Sequence, residues 1–389
     1  MLRRAWIAPF ACAALGGALV LIWQALTVHF NYHGDWDALF YTGGAMSLPP
    51  EIAEEDVYRF PDSRGYDGAF YHMIAHDPLM RHGYANYVDN PGLRWRRILV
   101  PGLARMAALG DGERVDSAYI CIVDLFLCLG VYWLARYAAF LGWNAAWGLA
   151  FLSVPAALTS LDRMTVDGAL AALCAGFAFY AAAKAPRRLY AVLVLAPLAR
   201  ETGMALIAGW CLFQLLTGRW RRAAFCATAA LPAVCWFIYV RARTGPDQTR
   251  WTSWIPFEGI VERTLHPVQF ALTSRWLREA AVLDNVALAG VWMALGIAVW
   301  WLARKNISAL TCSAWIFAAG ALFLANADIW SESYSFSRTQ SPLLMSVGLE
   351  GMRAKRWWKL APLALAAPRI LFQLQPQWRA VLHGLRGLI

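Results

Sequence analysis

Charged residues are scarce in this chain of 389 residues, at 15% against 59% hydrophobic residues. A charged share this low argues against a soluble domain, in which about a quarter of the residues are charged. The apolar residues form repeated runs near the roughly 20 residues that a helix needs to cross a bilayer. The composition therefore predicts an integral membrane protein with many spans.

Several short motifs are also absent. None of the eight cysteines lies in a CxxC pair, so we expect no zinc or redox site of that kind and interpret the thiols as small apolar side chains. No small-residue cleavage site follows the first apolar run, which begins near Ile7, so this run is predicted to be an uncleaved span. The net charge of +10 comes from basic residues dispersed at the ends of the apolar runs and not gathered in one basic face, so we expect no nucleic-acid partner.

Lysine is rare, with four lysines among the 35 basic residues, and its positions indicate the topology. All four lie in short basic connections between apolar runs, and such connections face the cytoplasm in multi-pass proteins. The basic connections are residues 3–4, 184–188, 219–222, 304–305 and 353–359. The N-terminus is therefore predicted to be cytoplasmic, and the loops at the other ends of the spans to be external.

The predicted fold is an all-α polytopic bundle of about eleven spans that forms a single membrane-embedded domain over residues 1–389. A large external loop, 30–97, follows the first span, and a second external loop, 244–284, lies where it could cover a cavity. The spans are expected near residues 7–29, 117–139, 145–160, 165–183, 189–199, 202–217, 223–241, 285–303, 308–325, 342–352 together with the residues before it, and 360–374, with an interfacial helix at 98–110.

The first loop carries much of the polar chemistry, with ten of the 25 acidic residues. Asp67 follows a Gly-Tyr turn and opens a helical pattern, while Arg94, Arg96 and Arg97 lead into an apolar run. Ionisable groups at membrane depth cost about 2.5 to 3.5 kcal/mol each on insertion scales, so they usually face a protein or water-filled interior.

Further ionisable residues fall at the predicted external tips of later spans. We therefore predict one cavity at the external leaflet, lined by Asp67, Arg94, Arg96, Arg97, Asp162, Arg163, Asp167, Arg200, Glu201 and Arg338. The alternative is that neighbours such as Asp162 with Arg163, and Arg200 with Glu201, form only structural ion pairs.

Three segments together carry a resemblance to a known class of enzymes. They are YDGAFYHMIA at 66–75, RWRRILVP at 94–101 and LARET at 198–202. The first resembles the loop after span 1 in polyprenyl- or dolichyl-phosphate-dependent mannosyltransferases of the GT-C class, although Tyr66 stands where their pattern has Trp. The full set is more similar to bacterial multi-span proteins of that class linked to cell-surface glycopolymer formation. Beyond the first loop, the resemblance is limited to the predicted topology and to scattered polar residues at the ends of spans.

This resemblance implies a membrane glycosyltransferase of the inverting, hexose-transferring kind. Its donor would be a polyprenyl-phosphate-linked sugar, its acceptor a glycan or lipid, and its active site would lie on the periplasmic face of the bacterial inner membrane. By motif position, Asp67 would be the catalytic base. Asp35 and Asp37, just after span 1, remain rivals because other GT-C branches carry their acid there. Helix capping is a further alternative role for Asp67.

Such a reaction also needs fixed positive charge to bind the lipid phosphate that departs. Arginine side chains suit this role, because their planar guanidinium group binds phosphate oxygens bidentately. The residues assigned to substrate binding are Arg94, Arg96, Arg97, Arg163, Arg200, Glu201, Arg338, Tyr71, His76 and Asp77. The alternative for the first three is that they anchor the loop to anionic lipid headgroups. Aromatic residues of the loop, such as Tyr71 and Trp95, could stack on sugars, but the same residue types populate any membrane interface.

A divalent metal is the one cofactor that the spacing of residues suggests. His72 and His76 lie four apart on the expected helix, with Asp77 adjacent, which suits zinc or manganese. There is no HExxH motif, so the alternative is that both histidines simply face the interface, and no metal ligand is assigned.

Two other classes of function stay open. A secondary transporter or flippase of lipid-linked sugars would also bury charges among many spans, although no repeat between the two halves is visible. A noncatalytic partner in glycopolymer assembly would have the same topology and would tolerate the loss of Asp67.

Overall fold

The computed structural model describes residues 2–55, 57–246, 249–267 and 274–387. These residues are helical apart from turns and irregular loops, one isolated bridge and a parallel pair of two-residue strands, β1 (Thr42–Gly43) and β2 (Arg59–Phe60). The predicted all-α class is therefore confirmed.

The α-helices vary widely in length. In chain order they are α1 (Leu2–Asn31), α2 (Pro50–Glu54), α3 (Asp67–His76), α4 (Pro91–Arg94), α5 (Leu99–Ala107), α6 (Val115–Phe140), α7 (Pro155–Arg163), α8 (Asp167–Ala182), α9 (Pro186–Ala199), α10 (Met204–Leu216), α11 (Trp220–Ala227), α12 (Leu231–Thr244), α13 (Glu258–Leu265), α14 (Arg275–Ala303), α15 (Ala309–Phe323), α16 (Ala327–Trp330), α17 (Ser333–Arg353), α18 (Ala361–Gln373) and α19 (Gln375–Gly387). Short 3-10 helices lie at Trp36–Phe40, Tyr84–Tyr87, Gly112–Arg114, Ala145–Ser153, Glu201–Gly203, Thr228–Ala230 and Trp357–Leu360.

Among the described residues, four helical stretches are long and apolar enough to cross a membrane: Ala8–Asn31, Gly112–Phe140, Trp220–Thr244 and Arg275–Ala303. The pair Ala145–Ser153 and Pro155–Arg163, bent by 62°, makes a fifth if it is one span. This set is compatible with a multi-pass membrane protein. Other apolar helices, such as α8, have about 16 residues and reach only about 24 Å, less than the roughly 30 Å of a bilayer core. The count of about eleven spans stays a prediction.

Some predicted span boundaries differ from the helices. The segment predicted at 145–160 is divided at Pro155, which begins α7, because proline lacks the N–H that would continue a helix and is tolerated in its first turn. The segment predicted at 342–352, together with the residues before it, lies within α17. The expected interfacial helix at 98–110 is α5.

The polar segment 30–97 is folded against the helices. In α3, the side chains of Tyr71, Ile74 and Ala75 are fully buried. Gly68 lies against the backbone of Arg163 at the end of α7, where a Cβ would overlap the Arg163 carbonyl oxygen. This close approach explains why a glycine follows Asp67.

The second predicted loop, 244–284, is described only in part, because 247–248 and 268–273 lie outside the described residues. Its helical stretch to Glu279 is the beginning of α14. Thr249 accepts a hydrogen bond from Asn90 at 3.3 Å, so this loop contacts the first one.

Candidate functional site

Asp67 is the first residue of α3, and its carboxylate lies between two guanidinium groups. Its Oδ1 is 2.9 Å from NH1 of Arg94, and its Oδ2 is 2.8 Å from NH1 of Arg338. The cap position of α3 is Tyr66, which makes no capping hydrogen bond through its side chain. The contacts of Asp67 are thus those of an ion pair and not of a helix cap.

The ion pairs continue from Arg338 across the bundle. NH1 of Arg338 is also 3.6 Å from Oδ2 of Asp167, the first residue of α8. Asp167 in turn accepts a hydrogen bond from Arg200, which follows α9. Arg200 also donates a hydrogen bond at 3.2 Å to the hydroxyl of Thr339, the residue after Arg338.

Arg97 connects the first loop to the same cluster. Its Nε and NH2 each donate to a different oxygen of Glu201 at 2.8 Å, which is the bidentate geometry of a strong pair. Its NH1 donates to the Tyr71 hydroxyl at 2.7 Å. Glu201 is 3.8 Å from Nε of Arg200. Arg200 and Glu201 are therefore each paired more closely with another segment than with each other.

We call this set the arginine network. It consists of Asp67, Tyr71, Asp89, Arg94, Arg97, Asp167, Arg200, Glu201 and Arg338. Asp89 joins it because its carboxylate accepts two hydrogen bonds from Arg94, both at 2.9 Å. The four arginine side chains are at most 10% exposed. Four carboxylates balance these four guanidinium charges, so the network as it stands is close to neutral.

Two guanidinium groups of the network keep unused donors. Nε of Arg338 and Nε of Arg200 are buried and make no hydrogen bond to any described residue. Buried polar groups are usually hydrogen-bonded. Donors of this kind can therefore serve an anion that reaches the network.

The charges around Asp67 determine its protonation. Burial raises the pKa of the Asp67 carboxyl, but Arg338 and Arg94 outweigh burial and hold that pKa well below its usual range. The carboxylate is therefore ionised at neutral pH. The same two pairs also reduce its strength as a base for as long as they persist.

Asp162 and Arg163 form a separate cluster at the end of α7. They pair with each other at 2.9 Å, and the guanidinium of Arg163 lies 3.3 Å from the ring centroid of Tyr41. Asp162 accepts hydrogen bonds from the Tyr334 hydroxyl at 2.5 Å and from Gln377 at 2.6 Å. These contacts match the structural ion pair that the sequence left open.

Three other predicted site residues point elsewhere. The guanidinium of Arg96 lies 6.0 Å from the ring centroid of Phe237 in α12. Asp77 accepts from the backbone N–H groups of Arg81 at 2.7 Å and His82 at 2.9 Å, so it orders the turn after α3. Asp35 caps the 3-10 helix Trp36–Phe40 by accepting from the backbone N–H of Asp37.

His76 lies in a second cluster, whose full membership was not predicted from the sequence. His72 and His76 both face one oxygen of Asp116, and Glu55 lies beside them. Asp37 is nearby; burial, followed by the charge of Asp116, raises its pKa to about 6. Nothing in the sequence indicated that Asp116 and Glu55 belong to this cluster, because they are 40 and 21 residues from His76. Asp89 could have been found from its position five residues before Arg94.

No protein-family model, curated protein or solved structure matches this chain. The functional interpretation therefore depends on the residues and their geometry.

Proposed function

We propose that this protein is a membrane glycosyltransferase that moves a sugar from a polyprenyl-phosphate donor to the acceptor of a cell-surface glycopolymer or glycolipid. It is a multi-pass protein of the bacterial inner membrane, with about eleven spans, a cytoplasmic N-terminus and its active site on the periplasmic face. The observation that carries the proposal is the carboxylate of Asp67 held between Arg94 and Arg338.

The surroundings of the network favour a phosphate group. Asp67 and Asp167 are the first residues of α3 and α8, and Glu201 begins the 3-10 turn that leads into α10. Helix N-termini carry partial positive charge and present free N–H groups, so they attract anions. With the buried arginines, these helix ends form a site for the phosphate of the donor.

The reaction assigns one role to each charge. An acceptor hydroxyl attacks the anomeric carbon, the new glycosidic C–O bond forms, and the C–O bond to the lipid phosphate breaks with inversion. Asp67 accepts the hydroxyl proton, and the arginines stabilise the departing phosphate, which takes the bonding electron pair.

The ion pairs of Asp67 imply an exchange when the donor binds. Some N–H groups of Arg94 and Arg338 then donate hydrogen bonds to the phosphate oxygens instead of the Asp67 carboxylate. The pKa of Asp67 then rises toward its ordinary value, because two neighbouring cations are shared with a competing anion. The base is thus activated only when the donor is in place.

The two ends of the bundle differ in a way that supports the proposed orientation. Helices α8, α10 and α17 each have a network residue at or near the N-terminal end and a basic segment at the other end, about 20 to 25 Å away. At that other end lies a cavity of about 930 Å³ lined by several cations, including Lys184, Arg219 and Arg353. Basic residues at one end are typical of the cytoplasmic side.

The test is the mass of what accumulates when the gene is deleted. Lipid-linked intermediates and surface glycan are compared by mass spectrometry among the deletion strain, the strain complemented with the wild-type gene and the strain complemented with Asp67→Asn. We expect both the deletion and Asp67→Asn to accumulate an acceptor that lacks one sugar. Unchanged masses in the deletion would contradict the proposal.

The same experiment distinguishes the two alternative functions. If the protein is a flippase, which the cationic cavity at the opposite end would suit, its deletion accumulates a complete lipid-linked product that lacks no sugar. A noncatalytic assembly partner is functional with Asp67→Asn.

A further inference from the structure

A cluster of two imidazoles and two carboxylates lies beside the arginine network but is separate from it. Nε2 of His72 is 2.6 Å and Nε2 of His76 is 3.0 Å from the same oxygen, Oδ1 of Asp116. Glu55 completes the group, and one ligand atom from each of the four residues lies within 4.8 Å of the others. The residues come from α3, from α6 and from the end of α2, so the fold and not the local sequence assembles them.

These distances are close to those of a metal centre. Four ligands at about 2.0 to 2.1 Å from a tetrahedral zinc ion lie about 3.3 to 3.4 Å from one another. The two histidine contacts to Asp116 are slightly shorter than this ligand–ligand distance, and no separation in the group exceeds it by more than about 1.5 Å. Glu55 is exposed at the end of a short helix, so its side chain can make most of the adjustment.

The donor set selects the kind of metal. Imidazole nitrogen suits zinc and other late transition metals, whereas Mg²⁺ and Ca²⁺ prefer oxygen ligands alone. Two neutral histidines and two carboxylates also give a neutral complex with a divalent ion. Neutrality matters because His72 is buried, with its ring stacked on Phe40 at 4.3 Å, and an uncompensated charge there would be costly.

We propose that Glu55, His72, His76 and Asp116 bind one Zn²⁺ ion. The ion joins the end of α2 and the second half of α3 to the first turn of α6. This role does not require the protein to be a glycosyltransferase.

The position of the ion on α3 gives it a structural consequence. His72 and His76 are four residues apart and share one stripe of the helix, while Asp67 and Tyr71, also four apart, share the neighbouring stripe. One stripe faces the proposed zinc and the other faces the arginine network. Binding of the ion therefore fixes the rotation of α3 and with it the direction of Asp67.

Zinc content is the direct test. The full chain is purified in detergent with an affinity tag that contains no histidine, stripped with a chelator, and titrated with Zn²⁺ against a chromophoric competitor. We expect one Zn²⁺ per chain and a higher unfolding temperature with zinc than with the chelator. A protein that takes up no zinc, as a plain histidine–carboxylate ion pair would, overturns the proposal.

Two exposed neighbours provide a matched pair of variants. Glu55→Gln removes a ligand, while Glu54→Gln makes the same change one residue earlier, outside the cluster. We expect Glu55→Gln to lower zinc affinity by about 10- to 100-fold, because even changes to residues that only contact a metal ligand cost that much. Glu54→Gln should leave zinc affinity unchanged. His76→Gln should abolish both the stoichiometric binding and the zinc-dependent rise in unfolding temperature. Equal zinc affinity in Glu54→Gln, Glu55→Gln and His76→Gln would refute this site.

Discussion

Replacing Asp67 by Asn separates the catalytic role of this residue from its part in the ion pairs. The change keeps the shape of the side chain but removes the negative charge between Arg94 and Arg338. Arg94 retains its two hydrogen bonds to Asp89, and Arg338 retains Asp167 at 3.6 Å. Breaking a buried ion pair costs about 3 to 5 kcal/mol, and because both arginines keep a partner we expect the unfolding free energy to fall by about 3 kcal/mol.

Catalysis and donor binding should respond differently to Asp67→Asn. A general base contributes about 10²- to 10⁴-fold, so we expect the transfer rate kcat of Asp67→Asn to fall by that factor. Donor affinity should stay the same or increase, since the carboxylate that competes with the phosphate for Arg94 and Arg338 has lost its charge. The assay is sugar transfer in purified, folded protein, with the donor dissociation constant measured separately.

Asp35→Asn and Asp37→Asn serve as controls. Asp35 caps a 3-10 helix, and asparagine caps as well as aspartate, so its replacement should leave transfer nearly unchanged. The reasoning is refuted if Asp67→Asn transfers sugar at nearly the wild-type rate while one of the two controls abolishes transfer. The base would then be a member of the earlier pair.

Three further predictions follow from the same structure. Arg97→Ala should weaken donor binding by about tenfold or more, because a guanidinium with bidentate geometry is lost, while Arg96→Ala, which alters a side chain directed at Phe237, should change donor binding little. Unchanged donor affinity in Arg97→Ala would leave this arginine only the role of anchoring the loop to lipid headgroups. The low pKa of Asp67 keeps this carboxylate ionised well below neutral pH. The pH dependence of kcat/KM reports groups of the free enzyme, so kcat/KM should not decline through protonation of Asp67 between about pH 5 and 8. A decline centred near pH 6 would contradict the role of Asp67 as the base. Cysteines introduced at Glu54 and Lys184 should be labelled by an impermeant reagent from opposite sides of the membrane, and labelling of both from outside would contradict the topology.

Much of the candidate site could be predicted because its residues stand out chemically. Asp67, Arg97, Arg200 and Arg338 are ionisable groups next to apolar runs, and placing such groups in lipid is expensive enough that they are expected to meet in the interior. The structure brings these four into one network. The helical class was equally predictable, since the apolar share and run lengths are properties of the sequence alone.

The partners within the site were not predictable in the same way. Arg96 and Arg97 lie in the connection between α4 and α5, where Arg96 points to Phe237 while its neighbour Arg97 reaches Glu201. Adjacent residues in a sequence therefore face different surroundings, and adjacency suggested an Arg200 and Glu201 pair that the fold largely divides between other partners.

The composition and the order of apolar and basic segments determined that this chain is helical and suited to a membrane, because both depend on local hydrophobicity and charge. The tertiary structure decided which carboxylate neutralises which arginine, and it brought Glu55 and Asp116 to the two histidines of α3. These contacts join segments tens to hundreds of residues apart. Their geometry depends on how the helices pack and on the rotation of each helix about its axis, which no spacing within a single segment records.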